Sequence, residues 1–264
     1  MQEFYNKFYN KTIREIAVEF PQTTRVFEEF KIDYCCGGNR AFDEACQSAG
    51  VAPQTVGEKI SQILNSQTED SASPERKNAS ELVDYIVEKH HIFTRDEMAR
   101  LTPLMEKVCR KHGASHEELF ALQKSFAQLC DELTPHFSKE EVILFPYIKH
   151  LEMSAKNNLS SIRPPFGTVR NPVRMMMTEH DAAGDILREM RVMTNDYAVP
   201  EGACPSFQAL YFGLDELEKD LHQHIHLENN VLFPQAIEFE RQIFGDGAEN
   251  VGAAGFACHH SSDA

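Results

Sequence analysis

The sequence predicts an all-α protein in which a small helical domain precedes a four-helix bundle. Apolar residues recur at helical spacing in four long segments, and no segment alternates apolar and polar residues as a strand would. A polar stretch, SQTEDSASPERKNAS, separates a short first part from the rest. The four segments cover approximately residues 80–111, 116–150, 170–195 and 206–242. A proline-rich connection lies between the second and the third, as expected for two helical hairpins joined by one crossover.

We expect four regions along the 264 residues. A chain of this length has room for one large domain and a small one. The polar composition of the linker and the small, polar residues of the tail mark the boundaries, and we expect the tail to be mobile. The regions are a small helical domain with a Cys-Cys turn (1–65), a linker (66–79), the bundle (80–242) and the tail (243–264).

Composition excludes several classes of function. Hydrophobic residues make up 42% and charged residues 25% of the chain, as in ordinary soluble globular proteins. A formal net charge of -15 argues against a nucleic-acid partner, and no apolar run is long enough for a signal peptide or a membrane span. Seven cysteines are an odd number in a long chain, so we interpret them as thiols and expect a cytoplasmic protein.

An internal repeat carries the predicted chemistry. The segments HFSKEEVILFP, from His136, and HIHLENNVLFP, from His224, share a histidine, a glutamate four residues later and a final Leu-Phe-Pro. The glutamates are Glu140 and Glu228. Residues four apart lie on one helix face, about 6 Å apart along the axis, so an imidazole and a carboxylate can converge on one metal centre. Each repeat therefore offers two metal ligands.

The first helix of each predicted hairpin supplies one more histidine. His91 precedes His136 by 45 residues, and His180 precedes His224 by 44. Hairpins with arms of nearly equal length bring all four histidines to one level of the bundle. His90 adjoins His91, and either could face inwards. We predict His91 as the ligand because it shares an apolar stripe of its helix.

This ligand set favours two iron ions. Six ligands exceed the need of one tetrahedral zinc ion, and no thiolate belongs to the set. Imidazoles with carboxylates suit iron or manganese, and glutamates from facing helices can bridge two ions. Because histidine outnumbers carboxylate, we expect iron, with an oxo or hydroxo bridge and open coordination positions. The predicted ligands are His91, His136, Glu140, His180, His224 and Glu228.

Polar neighbours of these ligands raise further hypotheses. Glu132 and Asp220 each lie one turn before a predicted histidine ligand, and Glu179 adjoins another. A carboxylate that accepts the free imidazole N–H fixes the ring and can pass protons towards the centre, although a solvated helix face has the same spacing. His222 and His226 flank His224 at two-residue steps, so we predict that both face solvent. Pro146 and Pro234, which end the two repeats, could bend or end their helices.

Two adjacent cysteines mark the first domain. Cys35 and Cys36 stand in DYCCGGNR, which indicates a turn because Gly37 and Gly38 permit backbone conformations closed to other residues. A disulfide between neighbours needs a strained ring, so a static bridge is not expected. Two thiols on a mobile turn suit reversible redox chemistry, nitric oxide binding or the passing of iron. We predict a functional role for both.

In combination these motifs resemble the Repair of Iron Centers family. DYCCGGNR, the His136 segment, MTEHD around His180 and the His224 segment follow in the expected order, and the resemblance runs from about Lys31 to Glu240. It implies a hemerythrin-like domain in a cytoplasmic di-iron protein that helps restore iron-sulfur clusters damaged by nitric oxide or peroxide. The implied partners are iron-sulfur client proteins and diatomic ligands such as NO or O2, without nucleic acid or membrane.

Three functions are compatible with such a centre. The preferred hypothesis is a non-enzymatic repair protein that binds NO or donates iron. A di-iron reductase of NO or peroxide would use the neighbouring carboxylates as proton donors. An oxygen carrier or sensor needs a dry apolar pocket without a proton relay, and the acidic neighbours count against it.

Overall fold

A computed structural model describes residue 8 and residues 11–66, 74–159 and 161–245. Throughout this part of the chain the regular elements are helices and no strand occurs, which confirms the all-α prediction. No helix among the same residues is long and apolar enough to cross a membrane. The predicted tail, from residue 246 onwards, and residues 67–73 of the predicted linker lie outside the described residues.

Between residues 11 and 66 the first domain has four α-helices around its own apolar core. A capping box at Thr12, whose side chain accepts a hydrogen bond from the backbone N–H of Glu15, starts the first of them. Buried aromatic and aliphatic side chains such as Phe27, Tyr34 and Phe42 fill the core. The helices are α1 (Ile13–Glu19), α2 (Thr24–Glu29), α3 (Phe42–Ser48) and α4 (Pro53–Ser66).

The second domain is a bundle of four long helices, three of which contain a π-helical turn. Asn78 caps the first helix through a capping box with Glu81. The first long helix consists of α5 (Ala79–Tyr85), the turn Ile86–His91 and α6 (Ile92–His112), and the second of α7 (Glu118–Lys139), the turn Glu140–Leu144 and α8 (Phe145–Asn157). The third is α9 (Arg170–Met193). The fourth consists of α10 (Pro205–Leu227), the turn Glu228–Leu232 and α11 (Phe233–Phe244).

The two repeat prolines follow the π-helical turns directly. Pro146 and Pro234 each lie in the first turn of the helical segment that comes after the wide turn, where a missing N–H costs least. The helices continue to Asn157 and Phe244, so the alternative that the prolines end them is wrong. Such π-helical turns occur frequently at functional sites.

A layer of polar side chains divides the apolar core of the bundle. One apolar cluster, with Leu129, Phe137 and Leu217, fills the end near the α6–α7 connection. The other, with Ile148 and Leu232, fills the end near the α8–α9 crossover. The π-helical turns lie at this layer, so histidines and glutamates of the long helices enter the interior at one level.

Candidate metal centre

The structure brings all six predicted ligands together inside the bundle. They form two overlapping groups, and within each group the possible ligand atoms lie within 4.8 Å of one another. All six side chains are buried. The groups share both glutamates: one is His91, Glu140, His224 and Glu228, and the other is His136, Glu140, His180 and Glu228.

Each glutamate directs one carboxylate oxygen at each pair of histidines. Oε2 of Glu140 lies 3.4 Å from Nε2 of His91, and its Oε1 lies 3.3 Å from Nε2 of His136. Oε1 of Glu228 lies 3.0 Å from Nε2 of His224, and its Oε2 lies 3.1 Å from Nε2 of His180. This is the arrangement of two carboxylates that each serve two cation positions.

The histidine nitrogens converge in the same way. Nε2 of His91 lies 3.2 Å from Nε2 of His224, and Nε2 of His136 lies 3.1 Å from Nε2 of His180. Two neutral imidazoles that each carry a proton on Nδ1 would point only lone pairs at each other there. A cation between such lone pairs removes the repulsion.

Unpaired oxygens support the same interpretation. Both carboxylate oxygens of Glu140 and Oε2 of Glu228 are buried and, among the described residues, have no hydrogen-bond partner. Burying an ionised carboxylate costs several kcal/mol, and within the described residues the imidazoles 3.1–3.4 Å away are the groups that offset this cost at these oxygens. Metal ions at the two positions would supply the missing charge, so the residues present fit two cations of the kind that imidazole and carboxylate bind.

Groups outside the cluster hold three of the four imidazoles in place. Nδ1 of His91 lies 2.6 Å from Glu141, and Nδ1 of His136 lies 2.8 Å from Glu179. Nδ1 of His180 lies 2.9 Å from the side-chain oxygen of Asn229. A proton on each of these Nδ1 atoms leaves the Nε2 lone pair to face the cluster. Nδ1 of His224 is buried and has no partner among the described residues.

Sequence reasoning found some of these partners and missed others. Glu179 bonds a ligand histidine as expected, but this histidine is His136 on the facing helix and not the adjacent His180. Glu179 also pairs with Lys139. The expectation that Glu132 accepts the N–H of His136 is wrong, because this side chain is exposed and accepts a hydrogen bond from Gln128, although it borders the cavity that reaches the cluster. Glu141 and Asn229 were missed, although each directly follows the glutamate of its repeat. Their equal position in both copies was the available signal.

The choice between His90 and His91 agrees with the geometry. His91 belongs to the cluster, whereas His90 lies behind it, with its ring stacked on that of His224 at a centroid distance of 5.5 Å. Nδ1 of His90 lies 3.0 Å from Asp220. Asp220 therefore contacts His90, the neighbour of the ligand His91, and the expectation that it would contact His224 is wrong.

Aromatic rings close the cluster, and one cavity reaches it. Phe137 stacks on His91 at a centroid distance of 4.4 Å, and Phe233 lies parallel to His180 at 6.2 Å. A cavity of about 400 Å³ reaches His136, His180 and His224 through the groove between α7 and α9. Leu133, Ala182 and Ala183 line it with Glu179 and Lys139. A small molecule can therefore approach the histidines along a mostly apolar path that is bordered by the Glu179–Lys139 ion pair and by the acidic residues Asp131 and Glu132.

The carboxylates shift the proton affinities of the histidines. Burial alone would lower the pKa of His136, but Glu140, Glu228 and Glu179 outweigh burial and raise the pKa to about 9. The pKa of His91 is raised for the same reason. Burial would raise the pKa of Glu228, but His224 and His180 hold it well below its ordinary value. Burial outweighs Glu228 at His224 and lowers its pKa, so in the absence of metal the proton affinity is raised at His91 and His136 but not at His224.

Metal binding should consequently depend on pH. A ligand imidazole must be neutral at Nε2, so an ion that binds below pH 9 must displace the proton of His136. We expect the apparent affinity for Co²⁺, a probe that resists oxidation, to rise about tenfold per pH unit for each displaced proton between pH 7 and pH 9. Above pH 9 this dependence should flatten. Titrations followed by cobalt absorption measure it, and equal affinities at pH 7 and pH 9 would contradict it.

The Cys-Cys turn packs directly beside a predicted ligand. Sγ of Cys36 lies 3.7 Å from the backbone oxygen of His180, so its thiol is positioned to donate to α9. Sγ of Cys35 lies 3.9 Å from Sγ of Cys36, and both thiols are free. The side chain of Asp33 accepts the backbone N–H groups of both cysteines and fixes the turn. The hydrogen bond to Cys36, together with burial, raises the pKa of Cys35 well above its ordinary value.

The first domain covers two histidines that were predicted to face solvent. His226 is fully buried, and Tyr34 lies edge-on against it at a centroid distance of 5.3 Å. His222 is half-buried, with Nδ1 2.9 Å from Oε1 of Glu28. The solvent prediction is wrong, because alternate residues of α10 face the first domain on one side and the metal cluster on the other. The short polar linker gave no sign of this contact.

Comparisons with known proteins cover both domains. A family model described as the hemerythrin HHE cation binding domain matches residues 81–236, and ScdA_N, a domain of unknown function (DUF542), matches residues 9–64. The chain is 31% identical over 233 residues to the iron-sulfur cluster repair proteins YtfE of Yersinia pseudotuberculosis and Yersinia pestis, which covers 88% of this chain and 99% of each relative. A probable iron-sulfur cluster repair protein of Haemophilus influenzae is 31% identical over 231 residues, 87% of this chain and 98% of its own.

Proposed function

Because the chain belongs to the family of iron-sulfur cluster repair proteins, we propose that it restores damaged iron-sulfur clusters in client proteins, with two iron ions held in the bundle. The geometry of Glu140 and Glu228 carries this proposal, since each offers one oxygen to each histidine pair. We assign the six clustered side chains as the iron ligands and include an oxo or hydroxo bridge between the ions. In this proposal the bundle stores iron and releases it to the client protein.

The residues of the chain itself have three tasks in this proposal. Glu141, Glu179 and Asn229 orient the imidazoles and keep their protons on Nδ1. Phe137 and Phe233 exclude water from the cluster. Bound iron supplies open coordination positions that a diatomic ligand such as NO can occupy. The cavity between α7 and α9 gives such a ligand a path to His136 and His180.

A second candidate function uses the same cavity. Glu179 bonds His136, pairs with Lys139 and borders the cavity, so it can hold a proton next to a small molecule there. That arrangement favours catalytic reduction of NO over simple oxygen carriage, which benefits from a dry pocket without a proton donor. We place the repair function first because it requires only the release of bound iron. We expect the protein to act in the cytoplasm, where reduced thiols and iron-sulfur clients are found.

The decisive experiment follows labelled iron. The full chain is loaded with ⁵⁷Fe and mixed with a purified [4Fe-4S] protein whose cluster has lost iron after NO treatment, and Mössbauer spectra then report where the label is. We expect ⁵⁷Fe to appear in the rebuilt client cluster in proportion to the protein added. Metal-free chain is the control. Recovery of the client without transfer of label would contradict iron donation, and steady production of nitrous oxide would favour the reductase.

A further inference from the structure

The two repeats differ at the position two residues after the glutamate. The first copy reads Glu140, Glu141, Val142, and the second reads Glu228, Asn229, Asn230. In both copies the middle residue bonds a ligand histidine on another helix. Val142 is 74% exposed, whereas Asn230 is buried. The symmetry of the bundle is therefore broken at the site where the first domain packs.

Asn230 joins the metal-binding turn to the Cys-Cys turn. Its side-chain N–H donates to the backbone oxygen of Tyr34, the residue before Cys35, over 3.1 Å. The same amide lies 2.9 Å from Nδ1 of His226. Its backbone oxygen accepts a hydrogen bond from Arg14 of the first domain, at 3.4 Å. One side chain thus fixes the backbone that carries the two thiols.

The neighbours of Asn230 complete a closed path between thiols and ligands. Glu228, at the start of the same π-helical turn, belongs to both halves of the metal cluster. Asn229 bonds His180, and the backbone oxygen of His180 lies 3.7 Å from Sγ of Cys36. The turn Glu228–Leu232 and the turn around Cys36 therefore meet at two points, one at Asn230 and one at His180. A shift of either turn should displace the other, because the Asn230–Tyr34 contact is buried and the Cys36–His180 contact is partly buried.

We propose that Asn230 is a positioning residue through which metal binding at Glu228 and His180 and the accessibility of Cys35 and Cys36 control each other. The inference rests on the proposed function only for the presence of iron, and it adds a coupling that repair itself does not require. Coupling of this kind is reciprocal in equilibrium terms: if iron favours the state with covered thiols, then a modification that holds the thiols exposed lowers the equilibrium affinity for iron. The iron-bound protein would keep Cys35 and Cys36 covered, and a partner that binds these thiols would lower the affinity of the bundle for iron.

Thiol alkylation measures the coupling in the full chain. Iodoacetamide is added to the iron-loaded and the metal-free protein, and mass spectrometry follows each cysteine. We expect iron to slow alkylation of Cys35 and Cys36 at least about fivefold, the lower end of typical coupling between sites. Cys204 is the internal reference, about 30 Å from His224 along α10, and hydrogen bonds from the backbone of Phe207 and Ser206 lower the pKa of its thiol. Its rate should not depend on iron.

Two variants test the role of Asn230. Asn230→Val installs the side chain of the first repeat, and Asn230→Asp keeps the size but loses the amide donor to Tyr34. In both, the iron dependence of the alkylation rates should disappear while iron content and helical circular dichroism stay at the wild-type level. The matched control is Val142→Asn, the opposite exchange at the exposed position, which should retain the full dependence.

The reverse measurement completes the test. In equilibrium competition with a chelator, wild-type protein with Cys35 and Cys36 alkylated should bind iron at least about fivefold more weakly than unmodified protein, and Asn230→Val should show no such difference. A wild-type chain that binds iron but alkylates at one rate in both states overturns the coupling and leaves the proposed function standing. A wild-type chain that binds no iron overturns both. Full iron dependence in Asn230→Val and Asn230→Asp overturns the assignment of Asn230.

Discussion

Replacing Glu228 with glutamine is expected to lower the iron content from the proposed two ions per chain to less than about one. Glu228 directs one oxygen at each histidine pair, so the change removes a charged ligand from both positions at once. Glu140→Gln should act in the same way, for the same reason. His180→Ala removes a ligand from a single position and should leave about one ion bound. Elemental analysis of protein purified from iron-supplemented cells gives the three values.

The matched control for this experiment is Glu132→Gln. Glu132 lies one turn before His136, but its side chain is exposed and bonded to Gln128. The control should therefore retain wild-type iron, although it removes the same charge from the same helix. Full iron occupancy in both Glu140→Gln and Glu228→Gln would contradict the assignment of bridging carboxylates. A loss equal to that of His180→Ala would limit each glutamate to one ion.

The agreement between sequence and structure is greatest where a pattern is local. The spacing of His136 from Glu140, and of His224 from Glu228, is set by one helical turn, so the printed sequence already places each pair on one face. The equal separation of the first-helix histidines from the repeat then fixes the level in the bundle. Apolar periodicity gave all four long helices, and their ends agree closely with the structure except at the second helix, which continues to Asn157 instead of ending near residue 150.

The disagreements come from contacts between distant parts of the chain. His226 has the spacing of a residue that faces away from the cluster, and it does, but the first domain lies on that side. Helical periodicity cannot distinguish a face covered by another domain from a face in water. Glu132 was a candidate only by spacing, and a competing partner on its own helix, Gln128, takes its carboxylate. The π-helical turns likewise depend on a hydrogen-bonding register that composition does not encode.

The polar linker predicted two separate domains and gave no sign of a contact between them, whereas the structure places the thiols of the first domain against the bundle. Cys36 bonds the backbone of His180, and Tyr34 packs on His226. Cutting the chain within residues 67–73 should therefore leave the bundle folded and iron-loaded, because all six proposed ligands lie beyond the cut. Separating the two parts after the cut should then lower repair sharply. We expect the loss of the two thiols, and not the release of the first domain from the bundle, to cause this fall in repair activity.

Changing Cys35 and Cys36 together to serine isolates this chemical contribution within the intact chain. Serine preserves the size of the turn, and the hydrogen bonds from the backbone of both residues to Asp33 remain available. We expect unchanged iron content and a fall in the rate of ⁵⁷Fe transfer to a damaged client of at least about tenfold, equivalent to roughly 1.4 kcal/mol of barrier. The single variant Cys46→Ser, in the core of the same domain, is the control for nonspecific loss of a thiol. If the double variant repairs the client at the normal rate, the thiols take no part, and the first domain serves to dock clients beside the iron centre.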